Sequence, residues 1–352
     1  MHGLHNNISI TSTLVLYPCE LSRLPLAVCY AVHGLRRHHF RHSMTTQPEY
    51  LKGVKDIIVV LSGKGGVGKS TVACQLAFAL ALDQKARVGI LDVDICGPSV
   101  PKIVGVENKN VVQGPNGWIP VEASLEVASP AAEEILSEDK AKGEAKTGSL
   151  KVMSIAFLLP NQTDAVVWRG PRKDAMIKQF VTAVDWGQLD YLIVDTPPGT
   201  SDEHLTLCEA LAALDPTGAV VVTTPQNVAV DDVKKELSFC GKLKMRCLGI
   251  VENMSGYVCP HCAECTQIFS KGGGEKLAKQ YEIPFLGAIP LTPQISMSED
   301  AGRSYVVEEA QGGPIKSVVA NILEQAKLVA EKKKKARNAE LAAAGFPTDA
   351  TW

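Results

Sequence analysis

The amino-acid sequence predicts an α/β fold with a doubly wound, mainly parallel sheet. From Asp56 onward, short runs of apolar residues alternate with segments of helical composition. Short apolar strands separated by helices are what a parallel sheet requires when helices cover both of its faces. The first apolar run also ends at a glycine-rich turn that leads directly into a helical segment.

The predicted elements can be placed in order along the chain. The first strand, Ile57–Leu61, leads through the glycine-rich turn into a helix over Ser70–Leu82. Four further strands each end at a polar residue: Val88–Leu91 before Asp92, Tyr191–Val194 before Asp195, Ala219–Val222 before Thr223, and Leu248–Val251 before Glu252.

Length and composition fit an ordinary globular protein. The 352 residues are 45% hydrophobic and 21% charged, which excludes a disordered, collagen-like or coiled-coil chain. The net charge of −2 and the 5% of aromatic residues argue against a nucleic-acid surface. The longest apolar stretch near the start, Leu24–Val32, is far shorter than the ~20 residues of a membrane-spanning helix. We therefore expect neither nucleic acid nor a membrane as a partner.

Changes in composition divide the chain into three parts. Residues 1–50 are predicted to be a disordered leader or to precede the true start of translation. The first 43 residues hold six of the eight histidines and only one acid, Glu20. A mitochondrial transit peptide is the alternative, since such peptides are basic and poor in acids. Residues 51–323 form the predicted folded domain, with a solvated surface insertion at 129–148, and residues 324–352 form a helical tail.

The segment from Gly63 to Thr71 predicts a binding site for the phosphates of a nucleotide. It reads GKGGVGKST and fits the pattern G-x-x-x-x-G-K-[ST] between a strand and a helix. Glycine lets the backbone wrap closely around a phosphate, and the loop N–H groups then face the negative charge. Lys69 would reach the terminal phosphates of ATP, and the Ser70 hydroxyl would coordinate Mg²⁺. The residues assigned to the nucleotide are Gly63, Lys64, Gly65, Gly66, Val67, Gly68, Lys69, Ser70 and Thr71.

Acidic residues at two strand ends complete the predicted nucleotide site. Asp195 has the position of an acid that holds Mg²⁺ through a water molecule. Asp92 and Asp94 follow the neighbouring strand, and one of them could position or deprotonate the attacking water. Lys64 cannot easily bind the phosphates of its own loop beside Lys69. It could instead reach the nucleotide of a partner subunit, as an arginine finger does.

Cys259, Cys262 and Cys265 form a cluster of thiols that allows several interpretations. Structural zinc usually takes four ligands, and the sequence offers no second pair nearby. A thioredoxin-like redox pair should open a helix after the first strands of a small domain. Two thiolates from each of two subunits would supply the four ligands of a [4Fe–4S] cluster. A surface loop without function is the fourth possibility.

Taken together, these motifs resemble the deviant Walker A ATPases, which include the Mrp/ApbC proteins, the nitrogenase iron protein and the partitioning ATPases. The resemblance rests on GKGGVGKST, on Asp92–Asp94 and on Asp195–Gly199. It implies a P-loop NTPase fold of the SIMIBI class and a face-to-face dimer around two nucleotides. It also implies that Lys64 is the intersubunit lysine and that Asp94 is the switch I aspartate, the two catalytic residues.

Three further segments resemble the Mrp/nucleotide-binding-protein branch of that family, whose members are scaffolds for iron–sulfur cluster assembly. These segments are Gly249–Gly274, Trp168–Pro171 and Thr223–Gln226, within a resemblance that covers roughly Lys52 to Ser304.

The branch implies roles for several of these residues. Cys259 and Cys262 would bridge a labile [4Fe–4S] cluster across the dimer, with Cys265 as the spare thiol. Pro225 and Asn253 would lie near the adenine.

The resemblance implies an ATP-dependent scaffold that assembles a [4Fe–4S] cluster and transfers it to cytosolic and nuclear apo-proteins. The CxxCxxC form is most similar to the smaller subunit of the eukaryotic cytosolic scaffold. Only Cys19 and Cys29 precede the P-loop, too few for the N-terminal cluster of the larger subunit. Expected partners are a second copy, the larger paralogue, targeting factors and apo-protein clients, in the cytoplasm. The alternatives are a mitochondrial assembly relative and a partitioning-type nucleotide switch without a cluster.

Overall fold

The computed structural model describes residues 51, 53–95, 97–125, 148–159, 170–199, 202–212, 215–258, 265–306 and 313–343. The predicted leader (1–50) and all but the last residue of the predicted insertion (129–148) lie outside these ranges. Cys259 and Cys262 also lie outside them.

Strands and helices alternate along the described chain. The strands are β1 (Val54–Leu61), β2 (Arg87–Asp92), β3 (Val112–Gly114), β4 (Gly117–Ile119), β5 (Val121–Ala123), β6 (Ser149–Ser154), β7 (Leu189–Asp195), β8 (Gly218–Thr223), β9 (Cys247–Val258), β10 (Cys265–Thr266) and β11 (Phe285–Leu291). The helices are α1 (Lys69–Leu82), α2 (Val100–Ile103), α3 (Gly170–Thr182), α4 (Asp202–Ala212), α5 (Asn227–Leu243), α6 (Gly273–Gln280), α7 (Pro293–Asp300) and α8 (Pro314–Ala343).

One large sheet carries the fold, in the order β10-β9-β8-β1-β7-β2-β6-β5, with β11 paired to β9. Strands β11, β9, β8, β1, β7, β2 and β6 pair in parallel, while β10 and β5 pair antiparallel. The predicted α/β class with a mainly parallel sheet is confirmed. Strand β7 lies between β1 and β2, so the carboxyl ends of these three strands are neighbours, as the register of Asp195 with Val60 and with Asp92 shows.

The central strands are apolar along their length because helices cover both of their faces. Ile58 and Val60 of β1 belong to a buried cluster that includes residues of α1 and α8. Val59 and Leu61 point the other way, into a cluster with residues of α3, α4 and α5. Every residue from Ile58 to Leu61 is buried, which explains a continuous apolar run rather than an alternating pattern.

Helix α8 begins at Pro314 and not at the predicted start of the tail, Glu324, so the boundary predicted between residues 323 and 324 falls inside a helix. Its first turns bury Ile315, Val318 and Ile322 in the core. Its later turns are rich in charged residues and mostly exposed, so one helix passes from the buried core to solvent. None of the helices that the structure describes is long and apolar enough to span a bilayer.

Candidate functional site

The glycine-rich loop joins β1 to α1 at the carboxyl edge of the sheet. Gly66 and Gly68 have φ values of 78° and 80°, in the left-handed region that favours glycine. A Cβ on Gly68 would also collide with the side-chain amide of Asn253. The loop therefore keeps a shape in which backbone N–H groups, rather than side chains, can approach a ligand.

Lys69 and Ser70, at the start of α1, and Asp195, at the end of β7, form a largely buried group, called the buried group below. The Lys69 ammonium lies 2.6 Å from Asp195 Oδ1 and 3.4 Å from Ser70 Oγ. The Ser70 hydroxyl donates to Asp195 Oδ2 at 2.6 Å. Lys69 is only 6% exposed and Asp195 is fully buried. The structure thus brings together the three residues predicted to hold phosphate and metal.

Among the described residues, two buried carboxyl groups, Asp92 and Asp195, and one buried ammonium, Lys69, lie at this edge. Asp92 is buried, accepts a hydrogen bond from Ser154 Oγ at 2.9 Å, and has its pKa raised to about 8 by burial and by nearby Asp195. Burial raises the pKa of Asp195 as well, against the opposing effect of Lys69. The hydroxyl of Ser70 and the carboxylate of Asp195 are hard oxygen ligands, which Mg²⁺ prefers. This donor set, which has one ammonium for two buried carboxyl groups, fits a divalent cation.

Asp94 lies on the loop after β2, beside the group just described. That loop is tied to β7, because the Val93 N–H donates to the Asp195 carbonyl at 2.9 Å. The Asp94 Oδ1 atom accepts from the Gly97 N–H at 3.2 Å. The structure thus places Asp94 at the same edge of the sheet as Asp195.

Lys64 lies in the loop but outside the buried group. Its backbone carbonyl accepts from Ser62 Oγ at 3.2 Å, and its side chain is half-buried. The ammonium makes no hydrogen bond or ion pair with any residue of the described ranges. Lys64 is therefore not used to hold its own loop together.

The turn after β7 is attached to the glycine-rich loop. Thr196 Oγ1 donates to the Val60 carbonyl at 2.9 Å, and the Gly199 N–H donates to the Ser62 carbonyl at 2.8 Å. These bonds connect the residues that follow Asp195 to the residues that precede the phosphate site. A movement of either segment would therefore act on the other through these two hydrogen bonds.

Asn253, predicted to lie near the adenine, contacts the loop directly. Its Nδ2 donates to the Val67 carbonyl at 2.9 Å. Pro225, the other residue predicted there, follows β8, and its carbonyl accepts from Ser270 Oγ at 2.7 Å. Pro225 lies just past the end of β8, which is beside β1, and Asn253 lies within β9, the next strand. Both strands are on the opposite side of β1 from β2 and Asp92.

The sequence model of the ParA family described as "NUBPL iron-transfer P-loop NTPase" matches residues 53–327. The chain belongs to this family. The predicted recognition is confirmed at this level, and the site described above is that of a P-loop NTPase.

Individual relatives and a solved structure agree with the family. The chain is 56% identical over 258 residues to the cytosolic Fe-S cluster assembly factor NUBP2 homolog of Nematostella vectensis, covering 73% of this chain and 87% of the relative. It is 54% identical over 250 residues to the cytosolic Fe-S cluster assembly factor CFD1 of Eremothecium gossypii, covering 71% and 82%. The nucleotide-binding protein of Archaeoglobus fulgidus in complex with ADP matches with a TM-score of 0.59 and 38% identity, covering 74% of this chain and 90% of that one.

Two residues at this edge of the P-loop NTPase were not predicted as site residues. Ser154 donates to Asp92, and Glu252 lies within β9 beside Thr223, the last residue of β8, with 1% exposure. Glu252 had a detectable signal in the sequence, because it follows a short apolar run as Asp195 does. Ser154 had no such signal in the sequence, because its hydrogen bond to Asp92 depends on β6 lying beside β2.

The thiols predicted to bind metal, Cys259 and Cys262, lie outside the described residues, between the end of β9 and the start of β10. Three other cysteines, Cys74, Cys208 and Cys240, are buried and unpaired. Burial raises the pKa of Cys208 to about 12. A thiol with such a pKa stays protonated near neutral pH and behaves as a small apolar side chain.

Proposed function

We propose that this chain is an ATP-dependent scaffold that assembles a [4Fe–4S] cluster and transfers it to apo-proteins in the cytosol. The observation that carries the proposal is the 56% identity over 258 residues to a cytosolic Fe-S cluster assembly factor, in a P-loop NTPase that also has the CPHCAEC segment. A partitioning-type nucleotide switch would not need that segment.

In this proposal the buried group binds Mg·ATP. Lys69 turns from Asp195 toward the terminal phosphates, and the amides of the loop surround them. Ser70 and Asp195 hold Mg²⁺, which neutralises phosphate charge when it is bound. Asp94 orients or deprotonates the attacking water, which makes the chain an ATPase.

The proposed unit is a dimer, and Lys64 supports it. An ammonium without a partner among the described residues, on a phosphate-binding loop, is suited to reach the nucleotide of a facing subunit. The second subunit is another copy of this chain or the larger paralogue. Apo-proteins that receive the cluster, together with their targeting factors, are the further partners.

The cluster is the cargo, and Cys259 and Cys262 of each subunit are its proposed ligands. A CxxC turn lets both sulfurs converge on one metal centre, and two subunits then supply the four thiolates that the cluster needs. With only two bonds to each chain, the cluster is labile, as transfer requires. Cys265 is the spare thiol.

Anaerobic reconstitution with iron and sulfide tests the proposal. We expect Cys259→Ala and Cys262→Ala each to abolish iron and sulfide binding, and Cys265→Ala to have a milder effect. Cys247→Ala is the matched control, because the structure places this cysteine in β9 outside the proposed ligand set. Full iron and sulfide in all three cluster variants would overturn the scaffold function. Retention of zinc without iron uptake would favour a zinc module.

A further inference from the structure

The turn Asp195–Gly199, which follows β7, faces the glycine-rich loop on one side and α4 on the other. The two hydrogen bonds described above attach it to the end of β1. Pro198 lies next to the glycine-rich loop, since a Cβ on Gly65 would be 4.0 Å from Pro198 Cγ. Pro197 and Pro198 have no N–H group, so neither offers a backbone donor. A hydrogen bond to either residue therefore needs a donor from another element.

His204, in the first turn of α4, is in place to supply that donor. Its Nδ1 lies 3.2 Å from the Pro197 carbonyl oxygen, and its ring is fully buried. Because a carbonyl oxygen only accepts, this contact is a hydrogen bond when the proton is on Nδ1. The ring of Phe239, on α5, packs edge-on against the imidazole, with the centroids 5.0 Å apart and an interplanar angle of 77°. The imidazole is thus held between the turn and α5.

Glu236, also on α5, lies at the second nitrogen of this ring. Its Oε2 atom is 3.9 Å from His204 Nε2, and neither of its oxygens has a hydrogen-bond partner among the described residues. Burial raises the pKa of Glu236 to about 8 and lowers the pKa of His204 to about 4. Near neutral pH the carboxyl group therefore keeps its proton, and the ring is neutral. An approach of about 1 Å lets the carboxyl O–H donate to Nε2.

We infer that His204 is a positioning residue for ATP hydrolysis, held by Glu236 in the tautomer that donates to the turn Asp195–Gly199; the inference rests on the proposed ATPase activity. A donor at Nε2 makes this nitrogen the acceptor of the ring, so the ring proton stays on Nδ1. The resulting bond to Pro197 holds the turn from the side of α4. Asp195, the first residue of the turn, is thereby kept in place as a proposed Mg²⁺ ligand. A misplacement of about 1 Å at such a group can cost about 10²-fold in rate.

Hydrolysis and binding of Mg·ATP by the full-length protein test the positioning role. We expect His204→Phe, which keeps a ring but removes the donor, to lower kcat about 10-fold and to change the Kd for Mg·ATP less than about twofold. His204→Asn should restore about half of the wild-type kcat or more, because its amide nitrogen can donate from near the position of Nδ1.

Two variants of Glu236 test its part in the arrangement. Glu236→Gln keeps an N–H donor toward Nε2 and should keep most of the wild-type kcat, whereas Glu236→Leu removes the donor and should lower kcat. Cys208→Ala is the packing control, because it shortens a buried side chain one turn further along the same face of α4 as His204. It should lower the stability of the protein without changing kcat.

The tautomer can be measured without catalysis, by NMR of protein labelled with ¹⁵N at histidine. The ring signals that are missing from His204→Asn identify His204. We expect the proton on Nδ1 in the wild type and in Glu236→Gln, and a larger share of the Nε2–H tautomer in Glu236→Leu. A proton on Nε2 in the wild type overturns the inference. An unchanged tautomer in Glu236→Leu overturns the part assigned to Glu236.

The hydrolysis rates separate this inference from the proposed function. Equal kcat values for the wild type and His204→Phe overturn the positioning role alone. A wild type that hydrolyses no Mg·ATP overturns the proposed ATPase activity, and the positioning role with it. If His204→Phe does not fold, the kcat of Glu236→Leu decides: a lower value supports the inference and an unchanged one overturns it.

Discussion

Replacing Glu236 by glutamine should make the protein more stable, and increasingly so as the pH rises. Glu236 lies on α5, is 1% exposed, and neither of its carboxyl oxygens has a hydrogen-bond partner among the described residues. Burial, helped by the charge of Asp232, raises its pKa from 4.5 to about 8. The buried ring of His204 lies 3.9 Å away, and burial lowers its pKa to about 4. Near pH 7 both side chains are therefore neutral.

The sign follows from comparing the folded and unfolded chains. Between pH 4.5 and about 8 the unfolded chain releases the Glu236 proton while the folded chain keeps it, so the free energy of unfolding falls as the pH rises. At about 1.36 kcal/mol per pH unit, the full interval corresponds to about 5 kcal/mol. Glutamine does not titrate, so the free energy of unfolding of the variant does not fall with pH for this reason. His204 works in the opposite direction, since stability falls as the pH drops from 6.5 to about 4, but it is present in both proteins.

Urea unfolding at pH 5.5, 7.0 and 8.5 measures the difference between the two proteins. Between pH 5.5 and 8.5 the advantage of Glu236→Gln should grow by about 3 kcal/mol, the part of the full interval that lies above pH 5.5. Glu209→Gln is the control, because Glu209 is an exposed acid on α4 and its loss should leave the pH dependence unchanged. A stability difference that does not vary with pH would show that the folded protein does not keep Glu236 protonated.

Three further predictions concern the nucleotide site. Lys69→Ala should weaken Mg·ATP binding about 10- to 100-fold by calorimetry, because a charge-assisted contact to phosphate is lost; unchanged affinity would contradict its role. Asp94→Ala should bind Mg·ATP normally but hydrolyse it about 10²- to 10⁴-fold more slowly, and equal hydrolysis at matched protein concentration would refute the assignment. Lys64→Ala should lose hydrolysis by about 10³-fold, as for a trans-acting cation. Mixing it with Asp94→Ala subunits should recover at most about half of wild-type activity, and no recovery in any mixture would count against the trans geometry.

The meeting of Lys69, Ser70 and Asp195 at one edge of the sheet could be predicted from the sequence because their signals are local. Lys69 and Ser70 belong to one short loop, and Asp195 is marked by the strand before it. Asn253 shows the limit of this reasoning, since its bond to Val67 joins residues 186 positions apart and depends on the order of β8 and β9 in the sheet. Family resemblance placed Asn253 at the site, but nothing in its surroundings in the sequence did so.

Buried titratable side chains away from the loop are harder to predict for a related reason. Glu236 sits in a helix with many charged neighbours, where composition alone suggests a solvated face. Only the packing of α4 against α5 shows that it faces His204 and not water. The start of α8 was missed in the same way, because the apolar residues Ile315 and Val318 precede the charged part from which the tail was recognised.

The arrangement of Lys69 and Asp195 also explains why this site should take a nucleotide together with its metal ion. With the site as described, each of the two side chains neutralises the other at 2.6 Å in a buried position. Lys69 cannot move to a phosphate alone, because Asp195 would be left buried and unpaired beside Asp92, at a cost of about 3–5 kcal/mol. A divalent ion held by Ser70 and Asp195 would remove this cost, because it would replace the Lys69 ammonium as the partner of the Asp195 carboxylate. We therefore expect the ion pair to disfavour free ATP relative to Mg·ATP.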